Sequence, residues 1–360
     1  MATSHNADRV VRHIGDYFLS GEMDKALGVA LIGVEETSDY ARLANTLGPE
    51  TSIDNQMVSL GSAMRFNERL LGCADRSGAG RFFDEGQCGW IETSGIWLDR
   101  GATADNQGFD ASGWEISAGG QFDLDNGWFV GGSLAYGEVN LGMRNSDASS
   151  DGSQFQIGIS AKRRIDNFEF AGSLSTGWGN YDIDRQSLPG YASSGNQQIR
   201  TTAAQLRAAM VLQRGAWVVR PRVGIRATNL SADSFDESGG GALAVSMNGS
   251  SKTYYDVQPA IDFIGEFGTR DGMLVRPKLT LGLTQLLGDT NVTDSGRLRD
   301  APGTVASFSG STELDRTRFD FAAGVDVFAR ESMAVRAEIA GSYSAHSTDY
   351  GASLKFEMSF

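Results

Sequence analysis

The sequence predicts an all-β membrane barrel of about twelve antiparallel strands preceded by a helical region. Three observations carry this reading. From Cys88 onward, apolar and polar residues alternate with a period of two, the side-chain period of a strand. Tight turns and long polar loops also alternate along the chain, as they do in barrels that cross a membrane. Finally, the chain stops in mid-strand on an aromatic residue. Tyr350, Ala352, Leu354, Phe356, Met358 and Phe360 share one parity, and Gly351, Ser353, Lys355, Glu357 and Ser359 the other. The length of this segment suits a tilted crossing of about 9–11 residues.

In chain order, the first elements are helical. Val10, Val11, Ile14, Phe18 and Leu19 recur at three- and four-residue spacing, as do Leu27, Ala30 and Leu31, with Gly21, Gly48 and Pro49 as punctuation. A further helix is expected over Ser52–Leu71, with Ile53, Met57, Leu60, Met64 and Leu71 as a thin apolar stripe. Its small residues Gly61, Ser62 and Ala63 fit a confined space. About twenty residues rising about 1.5 Å each span about 30 Å, roughly a bilayer core. Cys73 and Cys88 enclose a short polar stretch with no histidine or second cysteine pair to complete a zinc site. A disulfide in an oxidising compartment fits better, worth about 3 kcal/mol for a loop of this size; two free thiols are the alternative.

After Cys88 the strands follow one another. Trp114, Ile116, Ala118, Gly120, Phe122 and Leu124 oppose Glu115, Ser117, Gly119, Gln121 and Asp123. Trp128, Val130, Leu134 and Tyr136 form the next apolar face, then Phe155, Ile157 and Ile159, then Phe168, Phe170, Leu174 and Trp178. Trp217, Val219, Pro221, Val223 and Ile225 oppose Arg220, Arg222 and Arg226. Similar pairs of faces recur at 254–267, 272–287, 317–329, 332–344 and 348–360, with further strands at about 88–100 and 198–213. The charged faces, including Arg220, Arg222, Arg226, Asp262, Lys278 and Asp320, are expected to line a hydrated lumen. Turns at 125–127, 166–167, 214–216, 269–272 and 330–331 are tight, and long loops are expected near 144–153, 182–197, 229–251 and 288–313. Trp90, Trp97, Trp128, Trp178, Trp217, Tyr254, Tyr255 and Tyr350 are expected in interfacial girdles.

The net charge of -14 and the lack of a basic stripe exclude nucleic-acid binding. No run of 18 apolar residues exists, which excludes a transmembrane helix but not a membrane-crossing strand. The first residues lack a signal peptide, so we expect the chain to be the carboxy-terminal part of a longer protein. Motifs for chemistry are weak. His346 stands beside Ser344, Ser347 and Asp349, which reads better as turn chemistry than as a dyad. No phosphate loop or nucleophile elbow appears, and neither a cofactor, a metal nor catalysis is expected.

The junction Leu43-Ala-Asn-Thr-Leu-Gly-Pro-Glu50, then Phe66-Asn-Glu-Arg-Leu-Leu-Gly-Cys73, then Cys88-Gly-Trp90, resembles that of autotransporter translocator domains, the type V secreted proteins of Gram-negative bacteria. The resemblance extends over about residues 40–360 and includes the Phe360 ending. It implies a twelve-stranded outer-membrane barrel with a helix threading its pore, exporting and displaying an amino-terminal passenger. On that analogy residues 1–50 are a passenger remnant or linker, 51–87 the pore helix and cysteine loop, and 88–360 the barrel. Met57, Leu60, Met64, Phe66, Asn67 and Leu71 then belong to the pore helix. Tyr350, Leu354, Phe356, Met358 and Phe360 become the signal read by the barrel-assembly machinery. Further implied partners are periplasmic chaperones, outer-membrane lipid and lipopolysaccharide, and the chain's own passenger, with the carboxy-terminus periplasmic and the long loops extracellular. Self-cleaving members carry an Asn-Asn pair in the helix; here only isolated Asn55 and Asn67 occur, so self-cleavage is not predicted. The rival readings are a porin-like channel, an outer-membrane hydrolase using His346, and a soluble β-protein.

Overall fold

The computed structural model describes residues 4–34, 36–71, 87–124, 126–269, 273–330 and 333–359. Its frame is a closed barrel of twelve strands. These are β1 Cys88–Arg100, β2 Phe109–Asp123, β3 Trp128–Met143, β4 Ala148–Ile165, β5 Phe168–Gln186 and β6 Ala192–Met210. They continue with β7 Trp217–Ala232, β8 Ser250–Gly265, β9 Leu274–Leu287, β10 Thr317–Arg330, β11 Met333–Tyr343 and β12 Ser347–Ser359. Each pairs antiparallel with the next, β6 meeting β7 from Ile199↔Ala232 to Ala209↔Arg222. Strand β12 returns to β1 from Cys88↔Ser359 to Arg100↔Ser347. Closure matters because hydrocarbon offers no partner to an open edge.

The alternation sets which face meets lipid. Ile159 and Leu206 are 63% and 62% exposed on the outside, while their neighbours Ser160, Gln205 and Arg207 are buried inside. Aromatic rows mark the borders of this apolar belt. Trp114–Tyr136 and Phe155–Trp178 contact one another on neighbouring strands at 5.9 and 6.0 Å, and Trp97 stacks on Tyr350 at 5.6 Å. Trp217 and Phe267 meet at 5.6 Å at the opposite end. Two of the expected girdle residues are corrected. Trp90 and Tyr254 have inward parity and are buried, Trp90 beneath the Lys355 ammonium at 4.9 Å and Tyr254 donating to the Asn291 carbonyl at 3.2 Å.

Two of the expected loops, 144–153 and 182–197, are corrected because they are mostly the extended ends of barrel strands, while 229–251 and 288–313 carry short strands of their own. β5 and β6 run for 19 residues each, well beyond the 9–11 that a crossing needs. Past the lipid belt the parity continues but its polarity inverts. Asp182 and Asp184 face water outside, while Tyr181 and Ile183 are buried inside. A polar-outward strand reads like a loop when lipid is the assumed neighbour.

The amino-terminal helices lie at this long-loop end. Helix α1 spans His5–Leu19, α2 Lys25–Ile32 and α3 Thr37–Leu47. Ser4 caps α1 by accepting the Ala7 N–H at 3.0 Å, and Asp24 caps α2 by accepting Ala26 N–H at 2.9 Å. Beneath them, segments 235–236, 245–247, 291–298 and 308–313 of the long loops pair into a small four-stranded sheet. Val10, Ile14, Tyr17, Leu27, Leu43 and Leu47 bury their side chains with Phe235, Leu243, Val245, Leu298 and Phe308 of those loops. The Asn6 amide completes the edge of the sheet, donating to Ser311 O at 3.2 Å and accepting Ser311 N–H at 3.0 Å. The helices therefore form a cap packed on the loops.

Candidate functional site

The site is the pore and what fills it. Helix α4, Glu50–Leu70, runs inside the barrel from the long-loop end toward the end where β1 begins, and 17 of its 21 residues are buried. Pro49 before its first turn and Glu50 within it suit a helix amino-terminus. The helix is buried yet largely polar, so hydrogen bonds take much of the part that apolar packing plays in a core. At its start Glu50 accepts the Ser4 hydroxyl and the Gln107 N–H at 2.9 Å, and Asp54 accepts Asn106 Nδ2 at 2.8 Å. Asp294 accepts from Ser52 and from Gln56, the latter at 3.3 Å.

Midway, Asn55 donates to Gln197 Oε1 at 3.0 Å, Ser59 and the Tyr181 hydroxyl meet at 2.6 Å, and Gln156 donates to Ser62 at 2.9 Å. Toward its end, Asn67 donates to Ser175 at 2.9 Å and Ser160 donates to the Leu70 carbonyl at 3.0 Å. Glu68 lies 3.4 Å from both Arg207 and Arg222, and Arg69 bridges to Glu92 at 2.9 Å and to Glu115. Gly158 gives the helix room, since a Cβ there would lie 2.5 Å from Leu70 Cδ1.

Among the residues expected in the pore helix, Met57, Leu60 and Met64 pack with Phe109, Val139, Leu141 and Ile199. Phe66 and Leu70 pack on Ala135, Asn67 is buried, and Leu71 is the carboxy-terminal cap position. The apolar stripe thus covers part of the contact only; the sequence did not mark Ser52, Asn55, Ser59, Ser62 and Glu68 as polar anchors. Their signal was a helix too polar to be buried by packing and too closely followed by a barrel to be free.

The lumenal charges face the pore. Arg220 and Arg222 lie 2.9 and 3.5 Å from Asp262, Arg226 lies 3.0 Å from Asp256, and Asp320 accepts from Arg318 at 2.8 Å. Lys278 also lines the pore. Helix α4 leans on β3–β7 and leaves a void of about 490 Å³ against β8–β12 and β1.

His346 is rearranged relative to expectation. Its Nδ1 lies 2.7 Å from Asp315, across a neighbouring hairpin, and Ser344 donates to the other oxygen of the same carboxylate at 2.7 Å. Asp349 instead accepts from Ser342. Ser344 therefore points at the acid and not at the imidazole, which is a strut between loops and not a nucleophile–base pair. Cys88 is buried at the start of β1, whereas Cys73 and Phe360 lie outside the described residues.

A family profile described as the autotransporter beta-domain matches residues 89–340. The chain belongs to that family. The solved translocator domain of the autotransporter NalP from Neisseria meningitidis superposes with a TM-score of 0.68 at 13% identity, over 85% of this chain and 98% of that one. The beta domain of the Bordetella autotransporter BrkA gives 0.59 at 15% identity, over 77% and 100%. The transport unit of AIDA-I from Escherichia coli gives 0.57 at 12% identity, over 83% and 98%. At such identities these likenesses establish the fold. No curated protein sequence matches the chain. The protein is thus an autotransporter translocator module of the outer membrane, and α4 is the helix in its pore.

The cap of this autotransporter domain carries a titratable latch. His13 on α1 is buried; its Nδ1 meets the Ala306 carbonyl at 2.7 Å and its Nε2 accepts the Leu298 N–H at 3.1 Å. Burial lowers its pKa below the usual 6.5, opposed by the Ala306 hydrogen bond and by Asp16, with Arg297 adding to the lowering. A lowered histidine pKa means the neutral form is favoured in the docked cap. Its contribution is full above about pH 6.5 and declines as pH falls through that value, because the undocked histidine then takes up the proton. Proteolysis of residues 4–47 should therefore be faster at about pH 5 than at about pH 8, and His13→Gln should remove most of that difference. Equal rates at the two pH values in the unsubstituted protein would show that His13 does not latch the cap.

Proposed function

We propose that this translocator exports an amino-terminal passenger and then keeps it at the cell surface, with α4 left in the pore as the last part of the chain to cross. The observation that carries the reading is the path of the chain. Helix α4 enters from the long-loop end, where α1–α3 sit, and β1 starts at the other end beside the carboxy-terminus. If the termini of the barrel face the periplasm, as the short turns favour, everything before residue 50 lies outside the cell. Such a topology is the one expected after export is complete.

The reading includes a periplasmic carboxy-terminus, a disulfide between Cys73 and Cys88, and assembly assisted by periplasmic chaperones and the barrel-assembly machinery. It gives the domain no catalytic step, and the scattered Asn55 and Asn67 favour a passenger that stays joined. Outer-membrane lipid and lipopolysaccharide are its surroundings, met by Trp128, Leu134, Phe168, Leu174, Phe356 and Met358. The orientation is testable with a membrane-impermeant thiol reagent on intact cells, in a Cys73→Ser/Cys88→Ser background. Pro189→Cys in a long-loop hairpin and Arg12→Cys on the cap should label, and Asn167→Cys in a tight turn should not. Labelling of Asn167→Cys alone would reverse the topology.

A further inference from the structure

We propose that strands β7 and β8 form a panel of the barrel wall that yields while a passenger wider than one helix is in the pore, and that α4 locks one edge of the panel on arrival. The prolines mark it. Of the six in the chain, Pro221, Pro259 and Pro277 lie inside β7, β8 and β9, three adjacent strands of a closed barrel. Proline has no N–H to give a ladder, and in sheets it keeps as a rule to edges and bulges. The pairing shows which seam loses each donor. Pro259 is paired to Val223 of β7, but the β8–β9 ladder stops at Val257↔Gln285 and resumes at Ala260↔Gly282. Pro277 is paired to Val325 of β10, and the β8–β9 ladder breaks again between Ile264↔Lys278 and Phe267↔Val275. Pro221 is paired to Ile261 of β8, and the β6–β7 ladder skips from Ala209↔Arg222 to Leu212↔Val219. Among the described residues the other seams run unbroken, apart from a register shift between Phe328 and Arg330 of β10.

The interrupted seams are the two borders of one strand pair. Between them β7 and β8 pair without a gap from Trp217↔Gly265 to Ala232↔Ser250. Inside, Arg220 ties β7 to Asp262 of β8 at 2.9 Å and Arg226 ties it to Asp256 at 3.0 Å. The pair is thus stiff and its borders are not. A ladder carbonyl left without a donor beside hydrocarbon is costly, so each break lowers the further cost of parting that seam. Helix α4 treats the two borders differently. Glu68 spans the β6–β7 seam, 3.4 Å from Arg207 on one side and from Arg222 on the other. The β8–β9 seam faces the void, lined there by Ala260, Lys278 and Gly282. Its lumenal ties are Thr280 donating to Asp262 and Arg276 donating to Glu266, each at 2.8 Å.

The use of the panel rests on the export reading, and hydrogen exchange, which needs no passenger, separates the two. In the assembled full chain in detergent micelles, amides of Ala260–Ile264 and Lys278–Gly282 should exchange about tenfold faster than those of the unbroken β3–β4 ladder, the weight of about two hydrogen bonds. Pro259→Val with Pro277→Val should restore the ladder and slow that exchange by a similar factor. The same double variant should display less of a reporter that carries a disulfide-closed loop, and as much as before of an extended one. Glu68→Gln should speed exchange along β6–β7 and leave β8–β9 unchanged. Equal exchange at β8–β9 and β3–β4, or unchanged exchange in the proline double variant, would overturn the panel. Unchanged β6–β7 exchange in Glu68→Gln would overturn the lock, and undiminished display of the looped reporter behind a slowed seam would overturn the role in export. If the double variant does not assemble, the two seams of the unsubstituted chain decide. If the unsubstituted chain displays neither reporter, the export reading falls and exchange alone decides the panel.

Discussion

Deleting residues 1–71 is expected to raise single-channel conductance by about twofold. Helix α4 has 21 residues; as a cylinder about 10 Å across rising about 1.5 Å per residue, it occupies about 2,500 Å³. That is comparable to all the open space now beside it, so removal about doubles the free path. The anchors lost with it are side-chain hydrogen bonds with Gln197, Tyr181, Gln156 and Ser175 and the ion pairs of Glu68 and Arg69 with barrel residues, whose partners water filling the opened lumen can solvate. The barrel's own ladders from Cys88 to Ser359 remain intact, so the shortened chain should still fold. Unchanged conductance in a barrel that is still heat-modifiable would refute the plug. A porin-like channel has no need of such a helix, so this measurement also separates the two readings.

Phe360→Ser is expected to reduce assembled barrel in the membrane by about tenfold or more, the equilibrium weight of burying one phenylalanine in a recognition pocket. The outward row Tyr350, Leu354, Phe356 and Met358 is exposed on β12, and Phe360 continues its parity in the sequence. A recognition signal is read before the barrel closes. Its loss should therefore slow assembly and leave the melting of the assembled fraction nearly unchanged, with the passenger still able to fold. Normal levels of heat-modifiable barrel in this variant would remove the assembly-signal reading.

Much of the barrel was legible because lipid imposes one rule on every crossing. Apolar residues such as Trp128, Leu134 and Ile157 must point outward, so a period of two is written into the sequence. The rule fails where lipid ends. Tyr181 and Ile183 face inward above the belt while Asp182 and Asp184 face water, and that inverted stretch of β5 read as a loop. The rule also fails for groups whose partners are remote in sequence. Nothing near His346 announces Asp315, and nothing near Asn6 announces the backbone of Ser311. The length of α4 could be read locally, but its anchoring could not, because Ser52, Asn55 and Ser59 gain meaning only opposite Asp294, Gln197 and Tyr181. The cap was legible as helices and not as a docked layer, since its buried face is completed by Leu243, Leu298 and Phe308 from distant loops.

Surface display tests the central claim most directly. A small epitope-bearing reporter with an export signal, fused before residue 4 of the chain, should reach the outside of intact cells. External antibody should stain it and external protease should remove it, while a fusion that lacks β12 shows neither. A reporter that stays protected in the periplasm, behind a barrel that is itself correctly assembled, would contradict the account.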